Sequence, residues 1–114
     1  MADIPKPTVK AVEYTVNCVP DDGIDGNLFE IRVQYRGAER YAVTRHGQQC
    51  LGADGTWDQG VKEYDRGLDW LNAHRFDLDT ALEMAKQAAP FVTVNGFTVA
   101  DAIAMQEKRA ERHG

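Results

Sequence analysis

Residues 28–36 read LFEIRVQYR, and apolar and polar side chains alternate from Phe29 to Arg36. Strand side chains point to opposite faces with period two, so Phe29, Ile31, Val33 and Tyr35 make one apolar face, with Glu30, Arg32, Gln34 and Arg36 on the other. A helix would scatter the same residues around its circumference. This run requires a sheet with one side against a core, and its neighbours supply further strands. VKAVEYTVNCV places Val12, Tyr14, Val16 and Cys18 on one face and Glu13, Thr15 and Asn17 on the other. The turn-rich PDDGIDGN lies between these two strands. GAE at 37–39 makes a tight turn into RYAVTR, the third strand. Three such strands form an antiparallel meander.

The stretch RHGQQCLGADGTWD, residues 45–58, has two readings. Histidine, cysteine and aspartate at close spacing suggest a metal or acid–base site. Two hairpin turns, HG at 46–47 and DG at 54–55, explain the same residues without one. In the second reading Gln48–Leu51 return as a fourth strand with Cys50 opposite Val43, and Thr56–Trp57 open a fifth. His46 and Asp54 then sit at opposite ends of one strand, too far apart to share an ion. The hairpin reading is preferred.

From Asp65 the period changes to that of a helix. DRGLDWLNAHR reads as a short helix capped by Asp65, with Leu68, Leu71 and Trp70 inward. RFDLDTALEMAKQAAP reads as a longer one. Asp77 caps it, Phe76 staples onto Ala81, the stripe Leu78, Leu82, Ala85 and Ala89 faces inward, and Pro90 ends it. FVTV is a β run able to join a sheet edge, and NG at 95–96 is a turn. Thr98 and Asp101 form a T-x-x-D capping box for a last helix from about Val99. The fold class is therefore α+β: an antiparallel meander of four to five strands followed by two to three helices packed on one sheet face. The core candidates are Val12, Tyr14, Val16, Phe29, Ile31, Val33, Val43, Leu68, Leu71, Leu82 and Ile103.

A chain of 114 residues with 43% hydrophobic content reads as one domain. Residues 1–8, with two prolines, read as a mobile N-terminal arm and 9–114 as the domain. MADIPKPTVK has no apolar core of a signal peptide, and no apolar run reaches the length of a membrane span, so a cytoplasmic protein is expected. Cys18 and Cys50 have no CxxC or paired Cys/His spacing and read as reduced, half-buried residues.

A net charge of −5 without a basic block opposes general nucleic-acid binding. The chain contains no serine, so a serine nucleophile is excluded, and no P-loop or G-x-G-x-x-G is present. No cofactor and no metal are expected. DDGIDGN departs from a calcium loop: counting from Asp21, the third and twelfth positions hold Gly23 and Arg32. Arg32, Arg36 and Arg45 are expected to share the exposed sheet face, with Arg40 nearby. They bind anions there unless Glu13, Glu30 and Glu39 neutralise them. His74, four residues after Trp70, reads as a packing and helix-dipole residue. Trp57 and Trp70 are candidates for partner contact, since tryptophan is enriched at interface hot spots.

YAVTRHGQQCLGADGTWD, WLNAHRFDLDTALEMAKQAAP and VTVNGFTVADA resemble a family of small uncharacterised proteins encoded by actinobacteria and their phages. The resemblance covers residues 10–104 and rests on these phrases, not on a catalytic motif. It implies a small cytoplasmic protein, a phage accessory protein acting inside a bacterial host, and carries over no site residues. The leading expectation is a non-enzymatic protein that binds a protein partner, itself included as a homodimer. Its partner-binding candidates are Trp57, Trp70, Arg32, Arg36 and Arg45. The alternatives are a nucleic-acid or phosphate binder using the arginine face, and a small hydrolase using His46 with nearby carboxylates.

Overall fold

The computed structural model describes residues 3–20, 26–59 and 67–113; the side chains of 26, 27 and 109–113 are outside that description. The calcium-like loop, with Asp21 and Asp25, and the Asp65 cap also lie outside the described residues.

Five strands form one antiparallel sheet in sequential order: β1 Glu13–Val16, β2 Ile31–Tyr35, β3 Tyr41–Arg45, β4 Gln49–Leu51 and β5 Trp57–Gln59. Three helices follow, α1 Leu68–Ala73, α2 Leu78–Ala88 and α3 Val99–His113. Single 3-10 turns occupy Gly26–Phe29 and Ala89–Phe91. This is the α+β meander that the alternating first half requires.

Register fixes the two sheet faces. Tyr14 and Val43 both pair with Val33, Val16 and Arg45 with Ile31, and Tyr35 with Tyr41. These residues share one side, the side α2 covers over β1–β3. Ile31, Val33 and Val43 are fully buried there, with Phe29, Tyr41, Leu51, Phe76 and Val92 in the same cluster. The helix meets the sheet with alanines: Ala81 and Ala85 are fully buried, whereas Leu78 and Leu82 are half-buried at its flanks. Phe76 and Ala81 are both in this core, as the staple requires. Asp77 takes the N-cap position in extended backbone (φ −65°, ψ 163°) without a cap hydrogen bond of good geometry, yet the nearby Thr80 hydroxyl, and less strongly the Thr80 N–H, hold its carboxyl below the ordinary pKa. The capping box of α3 is complete, with the Thr98 N–H donating to Asp101 Oδ2 at 2.9 Å and the Asp101 N–H donating to Thr98 Oγ1 at 3.1 Å.

Several expectations need correcting. The first strand stops at Val16. Asn17 Oδ1 then accepts the Val19 N–H at 2.9 Å, and this side-chain turn shifts the parity, burying Val19 and exposing Cys18. Val12, before the strand, is 56% exposed. Leu28 and Phe29 belong to a 3-10 turn, although Phe29 still reaches the core. The β3–β4 loop holds three residues, 46–48, with Gly47 and Gln48 both at positive φ. Cys50 therefore faces Thr44, not Val43, and a one-residue slip moves its side chain to the other face. Cys50 is buried there, and both cysteines are free.

Leu68 is 71% exposed. Two residues along a helix span about 200°, so Leu68 and Trp70 cannot both face inward, and Trp70 takes the inner position. Phe91 closes a 3-10 turn, and the FVTV run joins no strand; only Val94 makes a bridge, to Phe97 across the Asn95–Gly96 turn. Asn95 and Gly96 have φ of 51° and 82°, the left-handed pair that an Asn-Gly hairpin turn uses.

Residues 3–12 have no regular secondary structure and are exposed. The segment is held from Lys10 onward. Lys10 Nζ pairs with Glu39 at 2.9 Å and lies 3.7 Å over the Tyr35 ring, and the Val12 carbonyl accepts the Tyr35 N–H at 2.8 Å.

Candidate functional site

The three-arginine face does not form. Arg32 pairs with Thr44 and Arg45 with Ile31, so Arg45 projects from the side opposite Arg32. Arg36 keeps the parity of Arg32. On their shared face the polar groups satisfy one another. Arg32 Nε lies 3.3 Å from Glu30 Oε1. Arg36 Nη2 and Thr44 Oγ1 both donate to Gln34 Oε1, at 3.0 and 3.1 Å, while Gln34 Nε2 donates to Glu13 Oε1 at 2.7 Å. Cross-strand pairing of this kind neutralises a sheet surface. His46 sits exposed in the β3–β4 turn, with no hydrogen bond or ion pair to another described residue. The described residues contain no group of three potential metal ligands.

Arg45 stands at the margin of the α2 side. Its Nη2 donates to the Thr93 carbonyl at 2.7 Å, and its guanidinium carbon lies 5.5 Å from the centre of the half-buried Trp57 ring. Its Nε is buried without a hydrogen-bond partner. Burial pushes the guanidinium below its ordinary pKa. Gln49 pairs with both Arg45 and Gln59, so these two carboxamides share the face with Arg45 and Trp57.

On the opposite sheet side, α1 is fastened to β5. Trp70 Nε1 donates to Asp58 Oδ2 at 3.0 Å, and the Trp70 and His74 rings stack at 3.9 Å with 14° between planes. His74 is 7% exposed, and its Nδ1 lies 2.7 Å from the Trp70 carbonyl. A carbonyl only accepts, so Nδ1 carries a hydrogen. Nε2 faces Asp58 Oδ2 at 3.7 Å and packs so closely on Gly52 that a Cβ there would sit 3.2 Å away. Among the described residues Nε2 is set between Gly52 and Asp58, and the group acts as a buttress between α1 and the β4–β5 hairpin. Asp54, in the turn of that hairpin, accepts from Thr56 Oγ1 at 2.7 Å and from the Thr56 N–H at 3.0 Å. The hydroxyl first, then the N–H, hold the Asp54 carboxyl below its ordinary pKa.

Besides Ile4, Val9 and Val12 of the N-terminal segment and Leu68 of α1, exposed large apolar side chains fall between residues 91 and 105. Phe91 is 82% exposed, Phe97 51% and Met105 38%. Phe97, Ala104 and Met105 line an open groove of about 440 Å³, with Asn95, Asp101 and Lys108 at its polar edges. The sequence reading passed over all three. The FVTV pattern places Phe91 in a strand, and no periodicity assigns a face to Phe97 or Met105. The available signals were Pro90, which makes Phe91 the end of a 3-10 turn, and the Asn-Gly turn, which puts Phe97 on a hairpin too short to bury it. Of the sequence candidates, Trp57 is half-buried beside Arg45, and Trp70 is engaged with Asp58 and His74.

No family model matches the chain, and neither a curated protein nor a solved structure is found to be similar to it.

Proposed function

We propose that the protein is a non-enzymatic binding protein whose partner is another protein, contacted through the surface around residues 91–105. The observation that carries this reading is the exposure of Phe97 and Met105 in the lining of one groove, with Phe91 exposed earlier in the same stretch of chain. Contiguous apolar surface rimmed by polar groups is costly to leave in water and is typical of interaction sites. The groove is within the size range of sites that accept a few side chains or a small ligand. An accessory protein acting on a bacterial host protein is what the resemblance of the sequence phrases to small actinobacterial and phage proteins implies, and it is part of the same proposal. No helix among the described residues is long and apolar enough to cross a membrane.

The phosphate-binding reading loses the Arg32–Arg36–Arg45 cluster on which it depends, and the hydrolase reading finds no carboxylate paired with His46 among the described residues. The test is capture from bacterial lysate by the immobilised wild type and by Phe97→Glu, with sedimentation velocity of each. A protein retained by the wild type and lost from F97E, or a wild-type dimer that F97E dissociates, supports the reading. Equal retention by both proteins together with a monomeric wild type refutes it.

A further inference from the structure

Among the described residues, Arg45 is the candidate with a buried donor left unsatisfied. Guanidinium has five N–H donors and remains charged in proteins. Here Nη2 uses one hydrogen on the Thr93 carbonyl, and Nε is sealed from solvent without a partner. No carboxylate pairs with Arg45 among the described residues, although the chain has more acids than bases. Among the described residues its neighbours on this face are neutral: Trp57 beside it, Gln49 directly across and Gln59 beyond. The main contacts of α2 are with β1–β3, so among the described residues it is the Thr93 segment, not the helix, that meets Arg45.

We propose that Arg45, flanked by Trp57 and Gln49, is a recognition site for a single carboxylate carried by a protein partner. The geometry selects the ligand in two ways. With Nε shielded, the side-on fork is closed, and an oxyanion must approach end-on, toward Nη1 and the second hydrogen of Nη2. The two oxygens of a planar carboxylate match that edge. A single cation beside neutral carboxamides balances one negative charge, whereas a phosphate dianion or a nucleic-acid backbone calls for several basic groups. The indole wall excludes water from one side of the pair and strengthens it. Burial already disfavours the charged guanidinium here, and a bound anion offsets that penalty.

The corner is connected through the backbone to the segment proposed for partner binding. Thr93, whose carbonyl Arg45 holds, precedes Val94, and Val94 bridges to Phe97. The identity of the ligand as part of a partner protein rests on that reading; the carboxylate chemistry does not.

The experiment is a titration of the 15N-labelled full chain, followed at the Trp57 indole N–H resonance, which is assigned with Trp57→Phe. N-acetylglutamate α-amide supplies a side-chain carboxylate, N-acetylglycine a terminal one, N-acetylglutamine amide a neutral control and methyl phosphate the competing oxyanion. Saturable shifts in the millimolar range with a carboxylate, and none with the neutral control, are expected. Whichever of the two carboxylate probes binds tighter names the source. Arg45→Gln weakens the binding by about tenfold or more. Arg45→Lys keeps a charge and a donor for Thr93 but not the fork, so it falls in between and remains informative if R45Q folds poorly.

No carboxylate shift in the wild type, or an equal shift in R45Q, overturns the proposal, and so does tighter binding of methyl phosphate. Carboxylate binding absent while F97E-sensitive capture persists removes this inference alone. Carboxylate binding present without any F97E-sensitive capture or dimer removes the partner reading and leaves a small-molecule carboxylate site.

Discussion

Ala85→Leu tests whether α2 lies on the sheet as closely as its alanines require. Ala85 and Ala81 have no exposed surface, and the helix covers Ile31, Val33 and Val43, themselves fully buried. Leucine adds three carbons at a point enclosed by helix and sheet. Were there a void to receive them, burial at ~0.8 kcal/mol per methylene would stabilise the fold by about 2.4 kcal/mol. Without one, the added volume forces side chains off their rotamers or lifts the helix, at a cost of about 1–3 kcal/mol. Zero exposure at two successive turns of the helix decides for the second case. We expect a loss of about 2–3 kcal/mol, near the top of that range, because β2 and β3 give the helix no flexible neighbour to displace. In urea, with a slope of about 1–3 kcal/mol per molar for small proteins, the midpoint falls by about 1 M or more while the slope is unchanged. Lys86→Leu, one residue along and exposed, is the control and stays within about 0.5 kcal/mol of wild type. An A85L midpoint equal to or above wild type would mean a cavity between α2 and the sheet, and the close approach inferred from the alanine face would be wrong.

Thr98→Ala removes the hydroxyl that accepts the Asp101 N–H; about 1 kcal/mol is lost, and far-UV circular dichroism shows reduced helicity. Asp54 titrates below its ordinary value of 3.8, so its folded-state contribution is complete above that pH and is lost as pH falls through the lower folded pKa. Thr56→Val deletes the hydroxyl donor and moves the midpoint upward, as carboxylate NMR would record; an unmoved midpoint contradicts the assignment. Trp70→Phe keeps a ring over His74 but drops the bond to Asp58, and a loss of about 1 kcal/mol in urea denaturation is expected. Ala38, in the β2–β3 turn, has φ of 52°, so Ala38→Gly relieves left-handed strain and raises the thermal midpoint, by about 0.5–1 kcal/mol in stability.

The alternating run at Phe29–Tyr35, the glycines of the turns, the Thr98–Asp101 box and the stop at Pro90 were all readable from the chain, because each is a local property of backbone and neighbours. They determine a meander followed by helices. What the sequence left open depends on contacts between distant residues. A loop of three residues instead of two turns Cys50 away from Val43, and only the register across strands records that. Arg45 has the parity of Val43, so an inward position was legible, but its charge had placed it outward. That it can sit there follows from the Thr93 carbonyl and Trp57, which come from elsewhere in the chain. Likewise a helical period identifies α1 and α2 without saying that Trp70 displaces Leu68 inward, or that alanines, not leucines, meet the sheet. Local periodicity sets which residues share a face; only the packing of one element on another decides which face is covered, and so which groups, Phe91 and Phe97 among them, are left in water.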